Sequence, residues 1–214
     1  DKNIINYELN SKVIDPFKNQ EQLAEYMSGE KKGDLFKYLE PTEIHKENLT
    51  ETKLSDSVRY TKVDKNKESY VSFKVKIPNN NSIYAYFASS PKNPSQSKKI
   101  DAATMYINDE SPESYLADDG FNNIIPLNFD EGQTVTFKIK LNENMFVLDR
   151  VIFAYEDIEV LSKYYKQLSK ETFTPEKISS SHLTGTIQVE DDDRLLLLTV
   201  PYEEGWTIKV DGAK

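Results

Sequence analysis

Glu203 and Glu204 stand just before the only tryptophan of the chain, Trp206, with Tyr202 ahead of them. Acids beside an aromatic ring are the side chains that grip a sugar. Two carboxyl groups held ~5 to 9 Å apart across a cleft would hydrolyse a glycoside. Adjacent residues in a strand-to-strand turn diverge, so this pair suits contact better than cleavage. Trp206 also heads an alternating row with Ile208 and Val210, the period of a strand with one buried face. Tyr84 and Tyr86 are the other aromatic candidates. They oppose Ile83, Ala85 and Phe87 on one strand, and a preceding helix could lie over them. The candidate glycan-binding set is therefore Trp206, Tyr202, Glu203, Glu204, Tyr84 and Tyr86, with no catalytic residue assigned.

Other chemistries find little support. His45 and His182 lie far apart in polar surroundings and read as exposed side chains, without the spacing of a zinc site. The acidic run Glu190 to Asp193 lacks the alternating ligands and sharp-turn glycine of a calcium loop, and reads as a solvated turn. Asp118-Asp119-Gly120 is likewise a turn first. With seven glycines and no cysteine, neither a phosphate-cradling loop nor a thiol nucleophile is offered. No metal and no cofactor is expected.

A net charge of -9 disfavours nucleic acid, whose phosphates would be repelled. It would also repel an anionic polymer unless lysines gather on one face. Apolar content is 37%, supplemented by 13 tyrosines and 10 phenylalanines, which bury much area per side chain. No stretch approaches the ~20 apolar residues that cross a bilayer. The sequons at Asn48 and Asn80 are of the kind that asparagine-rich chains produce by chance.

These candidates must be positioned by a largely β-structured chain. Val71, Phe73, Val75 and Ile77 alternate with polar residues, as do Val135 to Leu141, while 82–88 is apolar on both faces and suits a strand covered on two sides. Further strands are expected at 105–107, 121–127, 146–155, 183–189, 194–200 and 206–210. Turn signals at roughly ten-residue spacing argue for an antiparallel β-sandwich or jelly roll. One helix precedes it and one interrupts it. One begins near Asn19, places Leu23, Tyr26 and Met27 on a face, and ends at Gly29. The other, near 157–170, is capped by Asp157, with Ile158, Leu161, Tyr165 and Leu168 on a face. The expected division is a helical lead-in, 1–49, packed on a sandwich, 50–214.

Two segments carry a family resemblance. Leu-Leu-Leu-Thr-Val-Pro-Tyr-Glu-Glu-Gly-Trp-Thr-Ile-Lys-Val-Asp-Gly, ending at Gly212, resembles the segment near the C-terminus of YfhO-type bacterial membrane proteins. Asp15-Pro-Phe-Lys-Asn-Gln-Glu-Gln-Leu resembles their Asn-Pro-Phe-x-x-Gln-x-x-Leu lead-in, with Asp15 in place of the usual Asn. The resemblance spans roughly 13 to 214. It implies a polytopic membrane protein of the glycosyltransferase type, associated with sugar modification of lipoteichoic acid. It also implies that the catalytic acid lies outside this chain. The chain itself is then expected to be a fragment: a non-catalytic domain on the extracytoplasmic face of the membrane of a Gram-positive bacterium. The turn signal at Asp211-Gly212, with no returning strand, agrees. Its partners would be the rest of its own membrane-spanning chain and a cell-envelope glycan or teichoic acid. An independent carbohydrate-binding module and a purely structural domain are the competing readings.

Overall fold

A computed structural model of the chain describes residues 15–55, 57–89, 102–110, 116, 124–189, 196, 198, 200 and 204–212. Among these residues, ten strands build two facing antiparallel sheets. Sheet A joins β3 (Leu49–Lys53), β4 (Val58–Lys62), β10 (Met145–Glu156), β6 (Ile83–Ser89) and β8 (Ile125–Leu127) in that order. In addition β1 (Phe36–Leu39) pairs with the second half of β10, on the edge whose first half pairs with β4. Sheet B runs β2 (Glu43–Glu47), β5 (Tyr70–Lys76), β9 (Thr134–Leu141), β7 (Ala103–Ile107). From β5 onward, each strand up to β10 lies in the opposite sheet from the one before it. The result is the expected antiparallel sandwich of jelly-roll character.

The strand alternations dictate the core. Val71, Phe73 and Val75 of β5 and Val135, Phe137, Ile139 and Leu141 of β9 turn inward from sheet B. They meet Ile83, Ala85 and Phe87 of β6 and Phe146, Leu148 and Phe153 of β10. The rings of Phe87, Phe137 and Phe153 form a cluster with centroids 4.9 to 5.6 Å apart, in tilted and edge contacts that favour ring pairs. On β10 the inward residues are even-numbered up to Leu148 and odd-numbered at Phe153. A register shift between Leu148 and Arg150 inserts one residue, and that bulge reverses the parity.

Past this bulge, sheet A presents a second apolar face, where Tyr84 and Tyr86 of β6 adjoin Ile152 and Ala154 of β10. Two helices cover it: α1 (Pro16–Ser28) and α2 (Ile158–Leu168). Helix α1 realises the lead-in motif. Asp15 caps it, accepting from the N–H groups of Phe17 and Lys18 at 3.0 and 3.2 Å, and Pro16 occupies the first turn, where no N–H is needed. Phe17 is fully buried, 5.0 Å from the Phe36 ring, and Gly29 ends the helix at φ 74. Both helices bury a face different from the expected one. In α1 the buried residues are Phe17 and Ser28 with Ala24 packed beside them, while Tyr26 is 58% exposed. In α2 they are Val160 and Tyr164, with Leu161 of the expected face packed beside them, whereas Ile158 and Tyr165 face solvent, a rotation of about a quarter turn. The 29–35 connection explains the second rotation, since Lys32 N–H donates to the Tyr164 hydroxyl at 3.0 Å and Gly33 abuts Val160.

Gly33 yields a test. Its φ is +137, and a Cβ there would stand 3.0 Å from Val160 Cγ2. Gly33→Ala is expected to destabilise the chain by about 1–3 kcal/mol, from strained backbone and crowding together. In thermal unfolding, adding Val160→Ala should relieve the crowding but not the strain, so the two changes will be non-additive.

Within the expected lead-in, Phe36–Leu39 and Glu43–Glu47 are strands, one in each sheet, and the 49/50 division falls inside β3, after its first residue. These edge strands are held by backbone ladders, and β2 buries no side chain. The sequon residue Asn48 is a structural clasp: Nδ2 donates to Asp64 O and Ser69 Oγ, and Oδ1 accepts from Asp64 N–H. C-terminal to α2, β11 (Thr174–Ile178) and β12 (Leu183–Thr186) form a separate two-stranded hairpin. The strand expected at 183–189 stops at Thr186, and residues 206–209 lie outside any strand.

At the end of β10, burial raises the Glu156 carboxyl above its ordinary 4.5. The fold therefore binds this proton more tightly than the unfolded chain does. Ionised Glu156 opposes folding above the raised value, and the penalty fades as pH falls, vanishing below 4.5. Glu156→Gln is expected to raise Tm at neutral pH and to lose that advantage in acid.

Candidate functional site

Strand alternation sends every second residue of sheet B to solvent, and register decides which of them meet. Ser72 of β5 stands opposite both His45 of β2 and Lys138 of β9, and Lys138 stands opposite Tyr106 of β7. One step along, Tyr70 lies opposite Glu47 and Lys140. The outer face thus assembles an aromatic and polar row from four strands. Lys138 Nζ sits 5.6 Å from the Tyr70 ring centre and 5.1 Å from that of Tyr106, a cation between two aromatic faces. His45 lies 5.8 Å from Tyr70 on the other side, with Nε2 3.5 Å from Glu47.

A tight turn completes the site. Asn108 and Asp109 have φ of 47 and 70, the geometry of a type I′ hairpin, and Ile107 and Glu110 exchange backbone hydrogen bonds around them. Asn108 is tied twice to Thr136: its N–H donates to Thr136 O, and its Oδ1 accepts from Thr136 N–H, each at 2.9 Å. The turn thereby lifts Asp109 to 3.6 Å from Lys138 Nζ. Tyr70, Ser72, Asn108, Asp109, Thr136 and Lys138 line an open depression of about 350 Å³.

Lysines do gather on this face, at positions 74, 76, 138 and 140, yet most are neutralised. Lys74 pairs with Glu43 at 2.9 Å and Lys140 with Glu68 at 3.1 Å. The hydrogen bond and charge of Lys74 hold the Glu43 carboxyl below its ordinary value. The face is close to electroneutral on a chain of net charge -9. Such a surface offers paired donors and acceptors beside aromatic rings, rather than a single sign of charge.

The aromatic and acidic candidates that the structure describes fall elsewhere. Tyr84 and Tyr86 share the outer face of sheet A under the helices, with the Tyr84 ring 6.1 Å from those of Phe17 and Phe36. Burial raises the Tyr86 phenol, with Asp15 and Asp149 adding to the shift. Glu204 is exposed in a turn. Trp206 is 36% exposed and outside any strand, not on the buried face that alternation suggested. Tyr202, Glu203, the acidic run 190–193 and residues 118–120 lie outside the described residues. Both histidines are exposed, His45 on sheet B and His182 in the β11–β12 connection. Among the described residues no cluster of three or more His, Asp or Glu could hold a metal ion. Tyr70, Tyr106, Asn108, Asp109 and Lys138 were not legible as a site. Only the outward phase of Lys138 on its strand could be read from sequence.

Comparisons with known proteins add the family context. The sequence profile described as "Bacterial membrane protein YfhO" matches residues 3–214. No curated protein matches the chain. Among solved structures, a family 35 carbohydrate binding module from Clostridium thermocellum aligns with TM-score 0.37 and 10% identity, over 57% of this chain and 98% of that one. A CBM35 from Paenibacillus barcinonensis gives 0.34 and 12% over the same shares. A beta-glucosidase from Kluyveromyces marxianus gives 0.27 and 15%, over 46% of this chain and 12% of that one. Alignments this distant assign no ligand.

Proposed function

The chain belongs to the YfhO family of bacterial membrane proteins, and from that premise we propose that it is a non-catalytic, extracytoplasmic domain of a polytopic parent. It assists glycan or teichoic-acid modification at the surface of a Gram-positive cell by presenting the outer face of sheet B to a saccharide. The observation that carries this reading is the depression lined by Tyr70, Lys138, Asn108 and Asp109, with the Tyr106 ring set against Lys138 from outside the lining. Aromatic faces with convergent donors and acceptors are what a polyhydroxylated ligand requires. No helix among the described residues is long and apolar enough to cross a membrane; on this reading the bilayer-embedded machinery belongs to the rest of the parent. Exposed apolar side chains near the C-terminus, Ile178, Ile208 and Val210 among them, offer that remainder a place to pack.

The absence of cysteine from the chain makes sidedness directly measurable. A full-length parent carrying Lys76→Cys, at an exposed end of β5, should react with a membrane-impermeant maleimide in intact cells. The parent without the substitution supplies the background. Labelling that requires lysis would place the domain in the cytoplasm and end this reading.

A further inference from the structure

We propose that the sheet B depression reads the hydroxyl groups of an uncharged pyranose, and does not grip the phosphate backbone of an anionic polymer. This rests on the saccharide-presenting role above and names the ligand class for the same site. Charge argues first. Lys138 has Asp109 at 3.6 Å, and Lys74 and Lys140 have Glu43 and Glu68 at 2.9 and 3.1 Å. A phosphate approaching any of these ammonium groups meets a carboxylate beside it. A neutral hydroxyl meets no such repulsion.

Hydrogen-bonding capacity argues second. A sugar hydroxyl both donates and accepts, so its best partner is a mixed set. Lys138 Nζ donates and the Asp109 carboxylate accepts. Asn108 has its Oδ1 committed to Thr136 N–H, which leaves Nδ2 as a donor. Ser72 and Thr136 add hydroxyls on the floor. The ring of Tyr70 supplies an apolar wall for the C–H face of a pyranose, while the Tyr106 ring, outside the lining, holds Lys138 from its other side. At about 350 Å³ the depression is at the lower end of small-molecule sites, the scale of one sugar ring rather than a stretch of polymer.

The test is an amide-shift titration of the 214-residue chain. One arm uses methyl glucoside, methyl galactoside and N-acetylglucosamine; the other uses poly(glycerol phosphate) without sugar substituents. A neutral sugar should shift the amides of Tyr106, Asn108, Asp109 and Lys138 with little dependence on salt. Tyr106→Ala and Lys138→Gln should each weaken it about tenfold, the worth of one charge-assisted hydrogen bond or ring contact, without changing Tm. Asp109→Asn should weaken the neutral sugar and not the polyanion. Salt-dependent binding of poly(glycerol phosphate) alone at these amides would overturn the inference while sparing the saccharide-presenting role. Failure of both arms to move these amides would overturn the two together.

Discussion

Phe137→Ala is expected to lower the unfolding free energy by about 3–5 kcal/mol, from lost transfer energy and the cavity left behind. For a chain of this size that is a fall in Tm on the order of 10 °C. Phe137 is fully buried at the centre of the sandwich, with ring contacts to Phe87 and Phe153, one from each of the two central strands of sheet A. No neighbouring side chain can collapse into the space without moving a strand. The loss should be global, so amide protection should drop together in β5, β6, β9 and β10. Unfolding by denaturant, followed by hydrogen exchange, measures both quantities. A loss below about 1 kcal/mol would mean the two sheets are not packed through this ring cluster.

Phe17→Ala is expected to cost a comparable amount, about 3 kcal/mol, but with a different distribution. Phe17 belongs to the second cluster, with Leu35, Phe36, Ala154, Val160 and Tyr164, on the far side of sheet A from the sandwich core. Its removal strips the main anchor of α1 and a ring partner of Phe36 and Tyr84. Exchange should accelerate across residues 16–28 while β5 and β9 keep their protection, the signature of sub-global opening. Equal loss of protection in both sheets would show that the helix layer and the sandwich form one cooperative unit.

These two phenylalanines mark what could be read from the residues. Period-two alternation located β5 and β9 and their inward faces. Apolar residues on both faces of 82–88 announced a strand covered twice, which is the arrangement around Tyr84 and Tyr86. The end of α1 and the start of α2 were legible because Gly29 and Asp157 act locally, whereas α1 begins at Pro16, ahead of the expected start near Asn19. What failed depends on partners distant in sequence. The expected helix faces were rotated, because the 29–35 connection and sheet A, not periodicity, choose which side is buried. The strands at 43–47 and 49–53 were missed because charged edge strands owe their existence to a neighbour's backbone. The bulge near Asp149 is invisible until β6 is in place. The depression suffers most from this, since Tyr70, Tyr106 and Lys138 meet only after three strands, β5, β9 and β7, acquire their register. Trp206 showed the converse: an alternating pattern suggests a buried face only where another layer exists to cover it.

The central claim is that this family member contributes a saccharide-presenting surface and not a reaction centre. Glycan transfer, the activity proposed for the full-length membrane parent, tests it most directly when assayed in cells lacking their own copy. Tyr106→Ala combined with Lys138→Gln should cut transfer about tenfold at unchanged protein level, and Glu204→Gln should leave it unchanged. Full transfer by the double variant, or its abolition by Glu204→Gln, would contradict the account.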